Sequence, residues 1–208
     1  LARKDRVVAR LLQVLPSDAV ISDVAETRAY ECDALTAYKC APMVAVLPAS
    51  TQEVSDVLRI CHEEGVPVVP RGSGTSLAGG ALPTADCVIL GVARMNDVIE
   101  TDYANRIIRV QTGRTNLSVT GAVEEDGFFY APVQMDGTVV EIGGGYLDAG
   151  GLDLLGVICG SEGQLGVVTE ATLRILHKPE GARPVLMGFD DNEVAGACVS
   201  DIIKAGVL

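Results

Sequence analysis

Short apolar runs alternate with polar or glycine-rich breaks along the chain, and the period of each run predicts its element. Val7, Val8, Leu11, Leu12 and Leu15 fall on one helical face, so residues 5–15 read as an amphipathic helix ended by Pro16. Residues 17–40 carry mixed signals and read as surface chain. Residues 43–47 form a short strand of the buried type. Ser50-Thr51-Gln52-Glu53 is a capping box, and the helix it opens turns Val54, Val57, Leu58 and Cys61 inward before stopping at Gly65. A second apolar run, 66–69, completes a βαβ unit, for which a right-handed crossover is expected. The chain just past residue 69 then lies at the carboxyl end of a strand, where ligands collect in such sheets.

That place is taken by Pro70-Arg71-Gly72-Ser73-Gly74-Thr75-Ser76-Leu77-Ala78-Gly79-Gly80. Glycine lets the main chain take positive φ and approach a ligand without a Cβ in the way. Successive N–H groups in such a turn make a concavity for an anion, here a phosphate or diphosphate. Gly/Ser/Thr clusters are ordinarily turns, so on composition alone the plain-loop reading also stands. The loop leads to Pro83 and then to a strand over 87–90, not into a helix. A dinucleotide fingerprint needs its glycines to open a helix, and a Walker A loop needs Gly-Lys-Ser/Thr, which is absent. Both common nucleotide folds are therefore disfavoured.

Beyond residue 98 the pattern favours antiparallel strands. Residues 98–101 and 107–111 flank Tyr103-Ala104-Asn105 as a hairpin. Residues 117–126 read as a helix capped by Asn116 and ended by Gly127, and 128–132 as extended chain. Asp136-Gly137 signals a turn before a strand over 138–142. Gly143-Gly144-Gly145 and Gly150-Gly151 bracket a loop, with a short apolar helix over 152–158 after it. A second compact glycine loop, Gly160-Ser161-Glu162-Gly163-Gln164-Leu165-Gly166, precedes a strand in which Val167, Thr169, Ala171, Leu173 and Ile175 share a face. Glycine turns before strands are ordinary, so this loop alone is weak evidence. Residues 184–189 read as a strand. The helix after it is opened by Asp190, with an apolar stripe of Val194, Ala195, Cys198 and Ile202 that a lone βα unit cannot bury.

Composition narrows the function classes. With 208 residues, 48% hydrophobic, the chain can bury a core as one or two small domains. A net charge of −12 disfavours nucleic acid and anionic membrane faces. No apolar run approaches the ~20 residues that span a bilayer, so no transmembrane segment is expected. The six cysteines show no metal-finger spacing, several sit at apolar positions, and a reducing, cytoplasmic setting fits them. His62 and His177 are far apart and suggest no metal pair.

Taken together, 70–76 and 160–170 resemble the signatures of FAD-linked oxidases of the vanillyl-alcohol oxidase / p-cresol methylhydroxylase type. The likeness is greatest to the large flavin subunit of bacterial glycolate oxidase and its D-lactate dehydrogenase relatives. It extends through Tyr30 and Asp33, Pro48 with its capped helix, Val110-Gln111-Thr112-Gly113 and Phe129-Tyr130-Ala131-Pro132. The resemblance implies an α+β chain: an N-terminal helical extension (1–40), a two-lobed FAD-binding domain (41–180, lobes 41–95 and 96–180) and the start of a truncated substrate domain (181–208).

The cofactor-binding residues it implies are Pro70, Arg71, Gly72, Ser73, Gly74, Thr75, Ser76, Gly79, Gly80, Pro132, Gly160, Glu162, Gly163, Gly166 and Val167. Loop amides with the Thr75 and Ser76 hydroxyls would hold the FAD diphosphate, and Gly74→Val would expel it because the new side chain intrudes on the phosphates. Family members with covalent flavin often carry a His in this loop; Thr75 stands here, so FAD is expected to be noncovalent. The implied activity is oxidation of a 2-hydroxy acid, glycolate or D-lactate, with electrons leaving to a non-NAD acceptor. Iron–sulfur and second flavin-type subunits are the implied partners, in a cytoplasmic protein peripheral to the inner membrane through them. A catalytically silent FAD- or nucleotide-binding fragment is the alternative. Two departures stand out. Val133-Gln134 runs straight into Met135-Asp136-Gly137, where the family has a further segment of the flavin cradle. The family's metal-binding and carboxylate-binding residues also fall beyond position 208, so no catalytic residue and no metal site are expected here.

Overall fold

A computed structural model of the chain describes residues 2–130, 154–158, 160–179, 181 and 185–206. The chain divides into two compact units, Leu1–Lys178 and Pro179–Leu208. Within the first unit the described strands form two four-stranded sheets.

The first sheet contains β1 (Val20–Ile21), β2 (Val44–Val46), β3 (Val68–Arg71) and β4 (Val88–Gly91), in the order β1-β2-β4-β3. β2 and β3 both run parallel to β4, with Val44 and Val68 each opposite Val88. The βαβ unit therefore skips one position, and β4 fills the gap. The alternation of side chains gives the sheet two dry faces. Val44, Val46, Val88 and Leu90 pack on one face with residues from α1 (Ala2–Leu11) and α3 (Thr51–Glu63). On the other face, Ala45, Cys87 and Ile89 meet Ile21, Tyr30 and Val69. Cys61 and Cys87 are buried free thiols, and burial pushes the Cys61 thiol up to about 11.

The capping box forms with a variation. Ser50 Oγ accepts from the Glu53 N–H at 3.2 Å, but the Glu53 carboxylate accepts from the Ala49 N–H at 2.7 Å, not from Ser50. Gly65 ends the turn after α3 with φ +62°. Charge joins α1 to the end of α3: Arg6 lies 2.7 Å from Glu64, and Arg10 reaches Glu64 at 3.0 Å and also pairs with Glu63. α1 begins and ends earlier than its periodicity predicts. Turns after Leu11 carry Leu15 into the core, whereas Leu12 is 45% exposed. The stretch read as surface chain holds β1, which pairs antiparallel with β2, and α2 (Val24–Thr27), capped by Asp23.

The second sheet contains β5 (Val98–Asp102), β6 (Ile107–Gln111), β7 (Phe128–Tyr130) and β8 (Glu170–His177), all antiparallel in the order β5-β6-β8-β7. α4 (Asn116–Val123) covers one face, where Val119 and Val123 join Ile108, Val110, Phe128, Tyr130 and Ile175. Its cap is Thr115, whose hydroxyl accepts from the Ser118 N–H, not the expected Asn116. The lobes join at Gly113, which donates its N–H to the Met95 carbonyl at 2.8 Å. α5 (Leu154–Ile158) is the described part of the apolar helix before the second glycine loop. Pro132, the Asp136-Gly137 turn, the strand over 138–142 and the glycines of 143–151 lie outside the described residues.

In the second unit α6 (Asn192–Lys204) is capped by Asp191, one residue later than expected, with its carboxylate accepting from the Glu193 N–H at 2.8 Å. The strand expected over 184–189 is not found: 185–189 has no regular structure, and Val185, Leu186, Met187 and Phe189 are exposed. An apolar run becomes a strand only beside a partner strand, and none of the described residues supplies one.

Candidate functional site

The two glycine loops, some ninety residues apart in sequence, pack against each other. Pro70 and Arg71 are the last residues of β3, so the loop proper begins at Gly72. A Cβ on Gly163, whose φ is +79°, would come within 2.3 Å of the Pro70 ring. A Cβ on Gly80 would come within 2.7 Å of Glu162 Cβ and 2.8 Å of its carboxylate. Both contacts need glycine because no side chain tolerates such approaches. Glu162 itself takes φ +52°, a conformation that non-glycine residues seldom adopt. Its side chain lies along Gly80, so its place in the site is a loop-to-loop contact.

Arg71 leaves the same strand end in the other direction. Its Nη1 donates to the Cys32 carbonyl at 2.7 Å, and its guanidinium carbon sits 5.8 Å from the centre of the Tyr30 ring. The guanidinium occupies the space that a Gly74 Cβ would need, with atoms 2.3–2.8 Å away. Gly74 also has φ +68°. A side chain at Gly74 would therefore meet a left-handed backbone and displace the Arg71 guanidinium.

Gly72 is different. It lacks a left-handed φ, and a Cβ built on it would meet no described atom within 4 Å. Nothing described within the chain demands glycine at this position. Gly79 takes φ +90° beside Leu35 and Leu82, and Gly160 takes φ +85° with no described atom within 4 Å of its Cβ position. Ser76 Oγ accepts from the Ala78 N–H at 3.1 Å, which leaves its own O–H to donate. Ser73 and Thr75 are exposed on the same loop. Val167 is buried among the first-sheet core residues, so only its main chain is available to a ligand; Gly166 is half-buried.

Two buried polar atoms beside these loops have no hydrogen-bond partner among the described residues: Ser161 Oγ and one carboxylate oxygen of Asp33. Asp33 is 4% exposed, and its other oxygen accepts from the Leu35 N–H at 2.8 Å. An orphaned buried polar atom is costly, and sites built for polar ligands are where such atoms are kept. Ser161 belongs to the second loop, and Asp33 follows Cys32, whose carbonyl accepts from Arg71. Nothing in the sequence pattern marks Ser161 for this role, and only its burial reveals it. An open groove lined by Val157, Gly160, Ser161, Glu162, Gln164 and Leu165 runs along the second loop. No His/Cys/Asp/Glu cluster among the described residues fits a metal.

A glycine loop at the end of a parallel strand, faced by a second loop from an antiparallel lobe, is the arrangement of neither a Rossmann nor a P-loop protein. Residues 42–170 match the family described as "FAD binding domain", and the chain belongs to that family of flavin proteins. Its relatives are particular. Over 97% of its length it is 36% identical to the glycolate oxidase subunit GlcD of Escherichia coli K12, covering 48% of that protein. Over 80% of its length it is 31% identical to the mitochondrial D-lactate dehydrogenase (cytochrome) 1 of Saccharomyces cerevisiae, covering 35%. The fold matches that of substrate-bound p-cresol methylhydroxylase with a TM-score of 0.70 at 20% identity, over 86% of this chain and 44% of that one.

The chain thus spans half or less of the length of these curated relatives. Within the matched span it is also shorter. The alignment to the Escherichia coli subunit covers 240 positions, whereas 97% of 208 residues is about 202, leaving about 38 positions without a counterpart. The yeast comparison leaves about 40 (206 positions against 80% of 208, about 166).

Proposed function

We propose that this chain is the noncovalent FAD-binding part of a 2-hydroxy-acid dehydrogenase, acting on glycolate or D-lactate. Gly72 carries the reading: it is a glycine that the described packing and backbone do not require, on the loop where a diphosphate would rest. Main-chain amides of 72–76 and the Ser76 and Thr75 hydroxyls would donate to the phosphates. Ser161 is a buried donor, and Asp33 a buried acceptor for a hydroxyl of the dinucleotide. The first loop leaves the carboxyl end of β3, and the second loop packs against it at Pro70 and Gly80. When bound, the flavin supplies the hydride acceptor, while the chain supplies binding and orientation. No basic side chain stands free on the first loop, so anion binding there would rest on amide dipoles. Electrons would pass to a non-NAD acceptor, through iron–sulfur and second flavin-type subunits of a cytoplasmic complex peripheral to the inner membrane. No helix among the described residues is long and apolar enough to cross a membrane.

A second reading, a silent flavin-binding module, is favoured by the nearly forty aligned positions that the chain lacks. One experiment separates the two. The purified protein is expected to show a visible flavin band that bleaches on anaerobic addition of glycolate or D-lactate. Flavin that does not bleach supports the silent module, and failure to take up FAD at all rejects both. Gly72→Val is expected to lower FAD affinity by about tenfold or more, with an unchanged unfolding midpoint, because the added side chain meets only the ligand.

A further inference from the structure

We propose that Arg71 is a positioning residue that holds the first glycine loop in its anion-accepting shape from beneath, through Tyr30 and the Cys32 carbonyl, without touching the ligand. This rests on the flavin reading for the identity of the ligand, but not for the brace itself.

The geometry gives the guanidinium three neighbours. It donates to the Cys32 carbonyl at 2.7 Å, lies 5.8 Å from the Tyr30 ring centre, and fills the Cβ space of Gly74. Arg71 and Val69 alternate with Pro70 along β3, so their side chains leave the same face of the sheet. On that face Tyr30 is anchored beside Ala45, Cys87 and Ile89. The brace is therefore tied to the core, and it presses on the one residue of the turn that combines φ +68° with contact from below. Its charge also lies under amides whose dipoles attract an anion, and a guanidinium already committed to a carbonyl and a ring face adds to that field without moving. Segment 30–35, which has no regular period in sequence, is on this account the floor of the site.

The test compares wild type with Arg71→Gln, Arg71→Lys, Tyr30→Leu and the Arg71→Gln/Tyr30→Leu double variant. FAD affinity is read by flavin fluorescence, and loop order by thermolysin cleavage before the exposed Leu77, with the flavin-free unfolding midpoint as control. Tyr30→Leu keeps the apolar packing and removes the ring face. Expected are a loss of about tenfold in affinity for Arg71→Gln, several-fold for Tyr30→Leu, and a double variant no worse than Arg71→Gln alone. Arg71→Lys should fail to rescue, because one ammonium cannot hold the carbonyl and spread over the ring. Cleavage at Leu77 should quicken in the same rank order, at nearly constant midpoint. Rescue by lysine, additive losses, or no effect of Tyr30→Leu would show a direct phosphate contact and overturn the brace. If wild type takes up no FAD, the flavin reading falls; the brace is then decided by the cleavage rates alone, and unchanged rates reject it. If Arg71→Gln does not fold, Tyr30→Leu carries the same two measurements.

Discussion

Gly72, Gly74 and Gly113 are glycines for three different reasons, and the reasons predict different outcomes of substitution. At Gly72 a side chain would meet no described atom; at Gly74 it would meet the Arg71 guanidinium and a left-handed backbone. At Gly113 it would come 1.9 Å from the Val92 carbonyl oxygen and 2.7 Å from that of Met95, both main-chain atoms that cannot swing aside. Gly113→Ala is therefore expected to destabilise the first unit by about 1–3 kcal/mol in denaturant titration, by forcing the lobes apart where they join. Gly72→Val should leave the same titration unmoved. In the sequence Gly72 and Gly74 stand in a glycine-rich loop and Gly113 in a stretch singled out only by the family resemblance, and nothing there ranks them, because the difference lies in what approaches from distant parts of the chain.

Elements with a strong local code are legible in the sequence. α3 has its cap, stripe and terminal glycine, and β5–β6 has its turn, in which the Asp102 carboxylate accepts from the Asn105 N–H at 3.0 Å. Elements that depend on partners are not. β1 has two residues and exists only because β2 lies beside it, whereas 185–189 has the composition of a strand and no partner among the described residues. Segment 30–35 escapes periodicity for the same reason: beyond the local Asp33–Leu35 hydrogen bond, its hold on the sheet comes from the distant Arg71. Another long-range element contact makes a pH prediction. Hydrogen bonds from Arg10, with Arg6 adding at Glu64, hold the Glu63 and Glu64 carboxyls below their ordinary value of 4.5. A depressed carboxyl contributes stability that is fully present above that ordinary value and is lost as pH falls through the lowered one. Acid unfolding of wild type should steepen below about pH 4.5, and Glu64→Gln should be less stable than wild type at neutral pH, with a flatter acid limb on which the two converge.

At the scale of the whole molecule, the candidate site and both large cores belong to the unit ending at Lys178. A chain stopped at Lys178 is expected to unfold cooperatively at an unchanged midpoint and to bind FAD as the full chain does; a marked loss of either would place part of the site in the second unit. The order of the strands has a separate consequence. Among the described strands, the four at the sheet borders are poor templates for another chain: β1 has only two residues, β3 has Pro70 without an N–H to offer, β5 is interrupted by a bulge near Val98, and β7 has three residues. Unpaired strand borders recruit copies of themselves into intermolecular sheets unless something interrupts the row of donors. The proline against which the second glycine loop packs thus also interrupts the donors along that border, in a protein nearly half of whose residues are apolar.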